Sequence, residues 1–412
     1  MDSEVEESPG SLLERWPLYD GRQEGDGSLE KARHRLFLRS TIDQVPVTRI
    51  ADITPLDVLD IPVFASVTPL ARDLTTHLGK GIDKETARIS ALMEAIERVS
   101  AEELEGESRC TTYVELVSSG ASVADPLSFD LSPLTSYRPD SPFEWVEGWD
   151  LLRGGPIWIL ADLARSPAQE GILDQVDTNG LAAGFTRGRA LRSALLEVVE
   201  RDAVSQHHFF QQYGIEGDAG PVRRRIDLDT LPPTPKALAE RAKSASLKLI
   251  LEDLTTDLEI GVISSTLIDP SFPGAAGPMP LMVQGWGADL VAEAAVTQAI
   301  LESFQSRLGV IHGARDSYNQ IPPSRRETER DILNVVAEHN FSTVRDTISV
   351  DLETEIEFIL EKLESTGLTQ VIVIDMSRRL VGLPVVRVRV PGLSLFTIDH
   401  RRVGWRSARY LL

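Results

Sequence analysis

With 412 residues, 42% of them hydrophobic and 6% aromatic, the chain is long enough to bury a substantial core, as two or three ordinary domains or as one large intertwined unit. A formal net charge of −21 argues against general affinity for nucleic acid or anionic membrane, because a uniformly acidic surface repels phosphates. The one cysteine, Cys110, excludes an intramolecular disulfide and a Cys-based zinc site.

In chain order, residues 1–33 are rich in Asp, Glu, Gly and Ser and are expected to form a mobile acidic tail ahead of one intertwined domain over 34–412. The N-terminus has no apolar core, and no stretch approaches the roughly 18 apolar residues of a membrane span, so a cytoplasmic setting is expected. TRIADIT and IPVFASVTPL read as short strands broken by Pro, and LGKG as punctuation before a long helix. GGPIWILADL and LKLILEDL are similar apolar runs between helices. Pro270 to Pro280 reads as a loop, followed at once by the strand-like LMVQGWG. TQVIVIDMS and LPVVRVRVPGL close the chain as two more strands, the first apolar enough to be buried on both faces. Strands and helices therefore alternate without a clean linker, which predicts a mixed α/β (α+β) fold.

Internal self-similarity is the strongest signal. At an offset of 103 residues, GKGIDKETARISALMEAIERVSAE superimposes on AAGFTRGRALRSALLEVVERDAVS, matching Ser90 with Ser193, Glu94 with Glu197, Glu97 with Glu200 and Arg98 with Arg201. A weaker third copy, VAEAAVTQAILESFQSRL, follows at a further offset of 105. There Gln298, Glu302 and Gln305 take the places of Ser and the two acids, and the arginine comes one residue late, at Arg307. At 3.6 residues per turn, Ser90, Glu94, Glu97 and Arg98 share one polar face, and Ala91, Leu92, Ala95, Ile96 and Val99 make the apolar one. Carboxylates one turn apart repel by roughly 0.2–0.5 kcal/mol in a solvated helix and by more when buried, unless a cation lies between them. A single such helix is usually a solvated face with i, i+4 ion pairs, but two matched copies are hard to reach by chance. Carboxylates from two helices supply the hard oxygens that magnesium prefers, and each adjacent arginine offers charge-assisted hydrogen bonds to phosphate.

SALMEAIER, NGLAAG followed by SALLEVVERDA, and AILESFQSRLGVIHGARD resemble the YcaO enzymes, from about Thr48 to Arg315 and more loosely through LVGLPVVRVRVPGL. The resemblance implies a YcaO-type fold, with β-sheets packed by helices, that binds ATP without a Walker loop. This chain likewise has no G-x-x-x-x-G-K-[ST]. Magnesium would fall to Glu94, Glu97, Glu197 and Glu200. Nucleotide contacts would include Ser90, Ser193, Arg98 and Arg201, with Glu302, Gln305 and Arg307 near the phosphates and Lys80 and Asn179 as further contacts. The implied chemistry is ATP-dependent O-phosphorylation of a peptide backbone amide after a nucleophile adds, in the maturation of a ribosomally made precursor peptide. A sulfide nucleophile gives a thioamide, a neighbouring Cys, Ser or Thr an azoline, and an amine an amidine. TRIADIT, DIPVFASVTPL, LGKG and QSRLGVIHGARD look similar to the thioamide-forming group that works with a TfuA partner. The chain ends WRSARYLL, without the proline-rich tail of many azoline-forming members. Partners implied are the precursor peptide and a TfuA-like or other leader-recognition protein, with a homodimer also allowed.

Other readings carry less. His207, His208 and His312 could act as bases but fit packing or surface roles better. Asp202 and Asp316 could each orient the preceding arginine. Cys110 stands in an ordinary context, and no G-x-S-x-G elbow supports a hydrolase. A non-catalytic nucleotide- or peptide-binding scaffold, and a purely structural helix duplication, are the readings of other classes.

Overall fold

Three antiparallel sheets, each carrying one long helix, organise the chain. The computed structural model describes Trp16 and residues 39–214, 220–270, 282–313, 339–347 and 351–411. The first sheet is β1 (Arg49–Asp52), β2 (Val63–Val67) and β3 (Thr76–Lys80) in that order, and α1 (Lys84–Ser100) packs on β2 and β3. The largest is a six-stranded sheet of β4 (Ser108–Thr111), β5 (Phe143–Asp150), β6 (Gly155–Leu160), β7 (Leu181–Ala183), β12 (Ile372–Asp375) and β13 (Val385–Arg389), ordered β4-β5-β12-β13-β7 with β6 on β5. The third contains β8 (Arg224–Arg225), β9 (Lys248–Asp253), β10 (Gly261–Ile268) and β11 (Met282–Asp289), ordered β11-β10-β9-β8. Helix α2 (Arg187–Tyr213) packs on β13 and β7 and also reaches β11. Helix α3 (Pro233–Ser244) packs beside α4 (Ala292–His312), which covers β10 and β11, and α5 (Leu352–Ser365) lies against α2.

The expected mixed architecture is therefore present, and the sequence repeat is larger than a helix. Each copy is a strand, a turn and a helix: β3 into α1, β7 into α2, β11 into α4. Asp83 and Thr186, 103 residues apart, cap the first two helices, accepting from Thr86 N at 2.8 Å and Arg189 N at 3.2 Å. The third helix starts differently. Val291 offers no side-chain cap, and Asp346 Oδ1 takes the Ala292 N–H at 2.9 Å instead.

LGKG is not punctuation, since Leu78, Gly79 and Lys80 end β3. A Cβ on Gly79 would collide with the main chain of Ala87 and Ala91, so glycine lets α1 lie directly on its strand. The 3.6-residue period explains the helix faces. Ala91, Leu92, Ala95 and Ile96 are each at most 2% exposed, as are Ala194, Leu195 and Val199 in α2. Of the expected tail, only Trp16 lies among the described residues. It is 2% exposed and shares an apolar cluster with Leu151 and Val373, which anchors that point of the chain. Residues 271–281, most of the expected Pro-rich loop, lie outside the described residues. Among the described residues, no helix is long and apolar enough to cross a membrane.

A candidate nucleotide and magnesium site

The three strand-turn-helix units converge on one polar cavity of about 270 Å³. From β3 come Leu78 and Lys80, from α1 Ser90, Glu94, Glu97 and Arg98, from the turn before β7 Thr178, from α2 Glu197 and Arg201, and from α4 Glu302, Gln305 and Ser306. The repeat makes Glu94, Glu197 and Glu302 equivalent, and all three face the same space. That acids from three separate helices meet in one cavity is what the spacing alone could not show.

Cations interleave the acids. Lys80 Nζ donates to Glu302 Oε2 at 2.7 Å, and Arg98 Nε to Glu94 Oε1 at 3.1 Å while its Nη1 reaches Asp73 Oδ2 at 3.0 Å. Arg201 stands more loosely, 3.9 Å from both Glu197 and Glu200, with its guanidinium 5.6 Å from the Trp286 ring centre. That looseness leaves its N–H donors for an anion. Ala183 N–H donates to Glu97 Oε2 at 3.2 Å, and Gln305 Nε2 to the Leu78 carbonyl at 2.6 Å, tying β7 to α1 and α4 to β3.

Five glutamates and Asp73 against three cations leave the site acidic, and the protonation energetics show it. Burial and then the neighbouring Glu94 and Glu197 push Glu97 well above the usual carboxylate range. Burial, with Glu200 and Glu94 adding repulsion against Arg201, raises Glu197 to about 8. Burial and Glu302 raise Glu200 to about 7. Against the same burial, Lys80 and Arg201 hold Glu302 below its ordinary value. A divalent cation would relieve the repulsion, and the donors are the hard oxygens magnesium takes. Among the described residues, however, no three potential ligand groups converge to cage an ion. Magnesium ordinarily completes its shell with water and substrate phosphate oxygens.

Ten of the thirteen sequence-predicted residues sit in the lining or against it. Glu200 is 9% exposed just behind, within electrostatic reach of Glu302 and Lys80. Three lie elsewhere. Arg307 points away, pairing with Asp57 at 3.2 Å and Asp269 at 3.4 Å. One residue of delay turns a side chain about 100° around a helix, which takes Arg307 off the shared face. The arginine's place in the third copy is filled by Ser306, which lines the cavity. Ser193 is exposed and outside the lining, although its counterpart Ser90 is inside. Asn179 is 5% exposed behind Thr178, with its Oδ1 buried and without a hydrogen-bond partner. Thr178, Leu78, Ser306 and Asp73 were not predicted. Ser306 was readable from the repeat alignment itself, whereas Asp73 has no local signal.

The residues weighed as bases separate. His207 is buried with Nε2 3.2 Å from the Leu254 carbonyl, and burial with Arg223 lowers it to about 3. His208 meets Trp286 edge-on at 6.2 Å and is lowered to about 4, chiefly by burial. Asp202 does not orient Arg201. Fully buried, it accepts from Arg406, Gln206 and Ser394 N, fastening the C-terminal segment to α2.

Fold and cavity together define a protein without a phosphate loop, built on three strand-turn-helix units around one acidic cavity. Residues 78–394 match the family model of the YcaO cyclodehydratases, described as ATP- and Mg2+-binding, and the chain belongs to this family. It is 34% identical over 381 residues to an uncharacterized protein of Methanothermobacter thermautotrophicus, covering 89% of this chain and 94% of that one. It is 28% identical over 410 residues to a Rhizobium leguminosarum bv. trifolii protein described as lying in the tfuA 3' region, covering 93% and 92%. Among solved structures, YcaO from Methanopyrus kandleri bound with AMPPCP and Mg2+ superimposes with a TM-score of 0.72 at 26% identity, covering 92% of this chain and 93% of that one. ATP and Mg2+ are thus the cofactors of this fold and family.

Proposed function

We propose that the cavity uses ATP to O-phosphorylate a backbone amide of a precursor peptide, with sulfide as the nucleophile and a thioamide as product. The observation that carries the phosphoryl-transfer part is the convergence of Glu94, Glu197 and Glu302 with Lys80, Arg98 and Arg201 on one cavity. The likeness to a protein of the tfuA 3' region supports the thioamide branch and a TfuA-like partner. Sulfide adds to the amide carbon, the resulting oxyanion takes the γ-phosphoryl group with departure of ADP, and loss of phosphate leaves a carbon–sulfur double bond. An amide oxygen is a poor leaving group and phosphate a good one. Arg201, held loosely against two glutamates, supplies N–H donors where phosphoryl charge develops, and Lys80 and Arg98 hold their partner carboxylates in place. Magnesium supplies charge neutralisation between the acids and the phosphates. Ten of the named site residues therefore serve as nucleotide or metal contacts in this reading. Arg307 and Ser193 do not, and Asn179 supports Thr178.

A second reading, ring closure by a neighbouring Cys, Ser or Thr side chain, is favoured by the family's description as cyclodehydratases. Both readings require the amide oxygen to leave as phosphate. A precursor peptide carrying heavy oxygen at the modified amide, incubated with enzyme, ATP, magnesium and sulfide, is expected to deliver the label to phosphate. Retention of the label in the peptide would end the amide-activation reading. The product mass then separates the branches, because sulfur-for-oxygen exchange and loss of water differ. A scaffold role predicts instead that the Glu94→Gln/Glu197→Gln double variant keeps full product formation.

A further inference from the structure

The turn that brings Thr178 to the cavity is held by a buried ion cluster at β13. Asp177 is 3% exposed and faces three buried guanidiniums, those of Arg387, Arg389 and Arg402, which are 0%, 3% and 2% exposed. Arg389 Nη1 and Arg402 Nη1 reach Asp177 Oδ2 at 3.0 and 2.9 Å, and Arg387 Nη2 reaches Oδ1 at 3.3 Å and also bonds the Asp177 carbonyl. Other donors go to main-chain carbonyls of Leu163, Ala164, Arg165, Phe129 and Asp130, while Arg387 Nε and Arg389 Nη2 are buried without a hydrogen-bond partner. Three buried cations for one carboxylate is a costly arrangement, and apolar side chains of similar volume would commonly give equal or greater stability. What the cluster supplies is geometry.

The geometry is the turn. Asp177 Oδ1 accepts the Asn179 N–H at 3.0 Å, Leu181 N–H closes on the Thr178 carbonyl at 3.1 Å, and Val388 N–H, between the two arginines of β13, donates to the Gly180 carbonyl at 2.7 Å. Gly180 has φ +70°, and a Cβ there would run into the Val388 carbonyl, so the turn is seated on β13 with no room for another residue type. Thr178 lines the cavity and the buried Asn179 Oδ1 has no partner within the protein. We propose that Asp177, gripped by Arg387, Arg389 and Arg402, is a positioning residue that sets the Thr178–Asn179 turn against the nucleotide. Through it the C-terminal strand and the Arg402 turn govern nucleotide affinity without touching nucleotide. The inference rests on the nucleotide reading of the cavity.

Calorimetric titration with AMPPCP and magnesium tests it in the full chain, using Asp177→Asn, Arg387→Lys and a control, Asp253→Asn. Asp253 is a carboxylate 3% exposed that holds the turn after β9 through Thr255 N at 2.9 Å, away from the cavity. Asp177→Asn keeps an acceptor for Asn179 but removes the charge, and Arg387→Lys keeps the charge but cannot span Asp177 and two carbonyls. Both are expected to weaken AMPPCP binding by about tenfold or more, as supporting residues around metal and phosphate sites do, while Asp253→Asn binds as the parent does. Folded variants that bind within about twofold of the parent would overturn the proposal. If Asp177→Asn does not fold, Arg387→Lys decides, and loss of folding in both assigns the cluster a purely structural role and overturns it as well. A parent that fails to bind AMPPCP sinks the nucleotide reading itself, whereas a binding parent with unimpaired variants sinks only the positioning role.

Discussion

Arg201 and Arg307 look interchangeable in the sequence, each an arginine close behind a glutamate on a repeated helix, and the structure gives them opposite work. Arg201 stands 3.9 Å from two glutamates with donors to spare, while Arg307 is spent on Asp57 and Asp269. Arg201→Ala is therefore expected to weaken magnesium-dependent AMPPCP binding by roughly tenfold or more with little loss of stability, as calorimetry and urea unfolding would show. Arg307→Ala should do the reverse. It leaves Asp57 unpaired at 2% side-chain exposure, with an expected loss of about 3 kcal/mol, and AMPPCP affinity should stay at the parent value. At this scale the acids were legible, because Glu94, Glu97, Glu197 and Glu200 repeat at fixed spacing. What was not legible is phase: the repeat aligned Ser306 with the two arginines, yet the arginine one position on drew the expectation.

The element that repeats is a strand, a turn and a helix, of which the sequence displayed only the helix. Strands of three to eight residues carry too little periodicity to betray a repeat, whereas a helix of seventeen or more residues shows both its apolar face and its polar stripe. The caps at Asp83 and Thr186 are part of the same unit. Thr186→Ala should cost about 1 kcal/mol by urea unfolding, the usual worth of such a cap. Gly79→Ala should cost more than the cap, because its Cβ meets the main chain of Ala87 and Ala91, and main chain cannot turn aside as a flexible side chain can. Arg387 and Arg389 were hidden for a related reason. VVRVRV alternates as a half-exposed strand would, and only packing against α2 together with the short helix Ala161–Ala164 and the Arg402 turn buries both faces of β13.

Across the whole molecule, three sheets hold three helices so that acids from each meet, and the protein carries that repulsion until cations arrive. Glu97, Glu197 and Glu200 have folded-state pKa values raised above their ordinary ones. Stability from their protonated forms is fully present below the unfolded carboxylate range and is lost as pH climbs towards the raised values of about 8 for Glu197 and about 7 for Glu200. The ligand-free protein is accordingly expected to lose thermal stability between about pH 5 and pH 8, and magnesium with AMPPCP to restore it with release of protons, seen as a dependence of binding heat on buffer ionisation enthalpy. A flat stability profile over that window would show that the acids are not in conflict. The central claim, that the three-helix cavity is the nucleotide and magnesium site, is tested most directly by titrating AMPPCP into the parent and the Glu94→Gln/Glu197→Gln variant, with and without magnesium. Magnesium-dependent binding in the parent and its loss in a folded double variant is the predicted result, and equal binding by both proteins would contradict it.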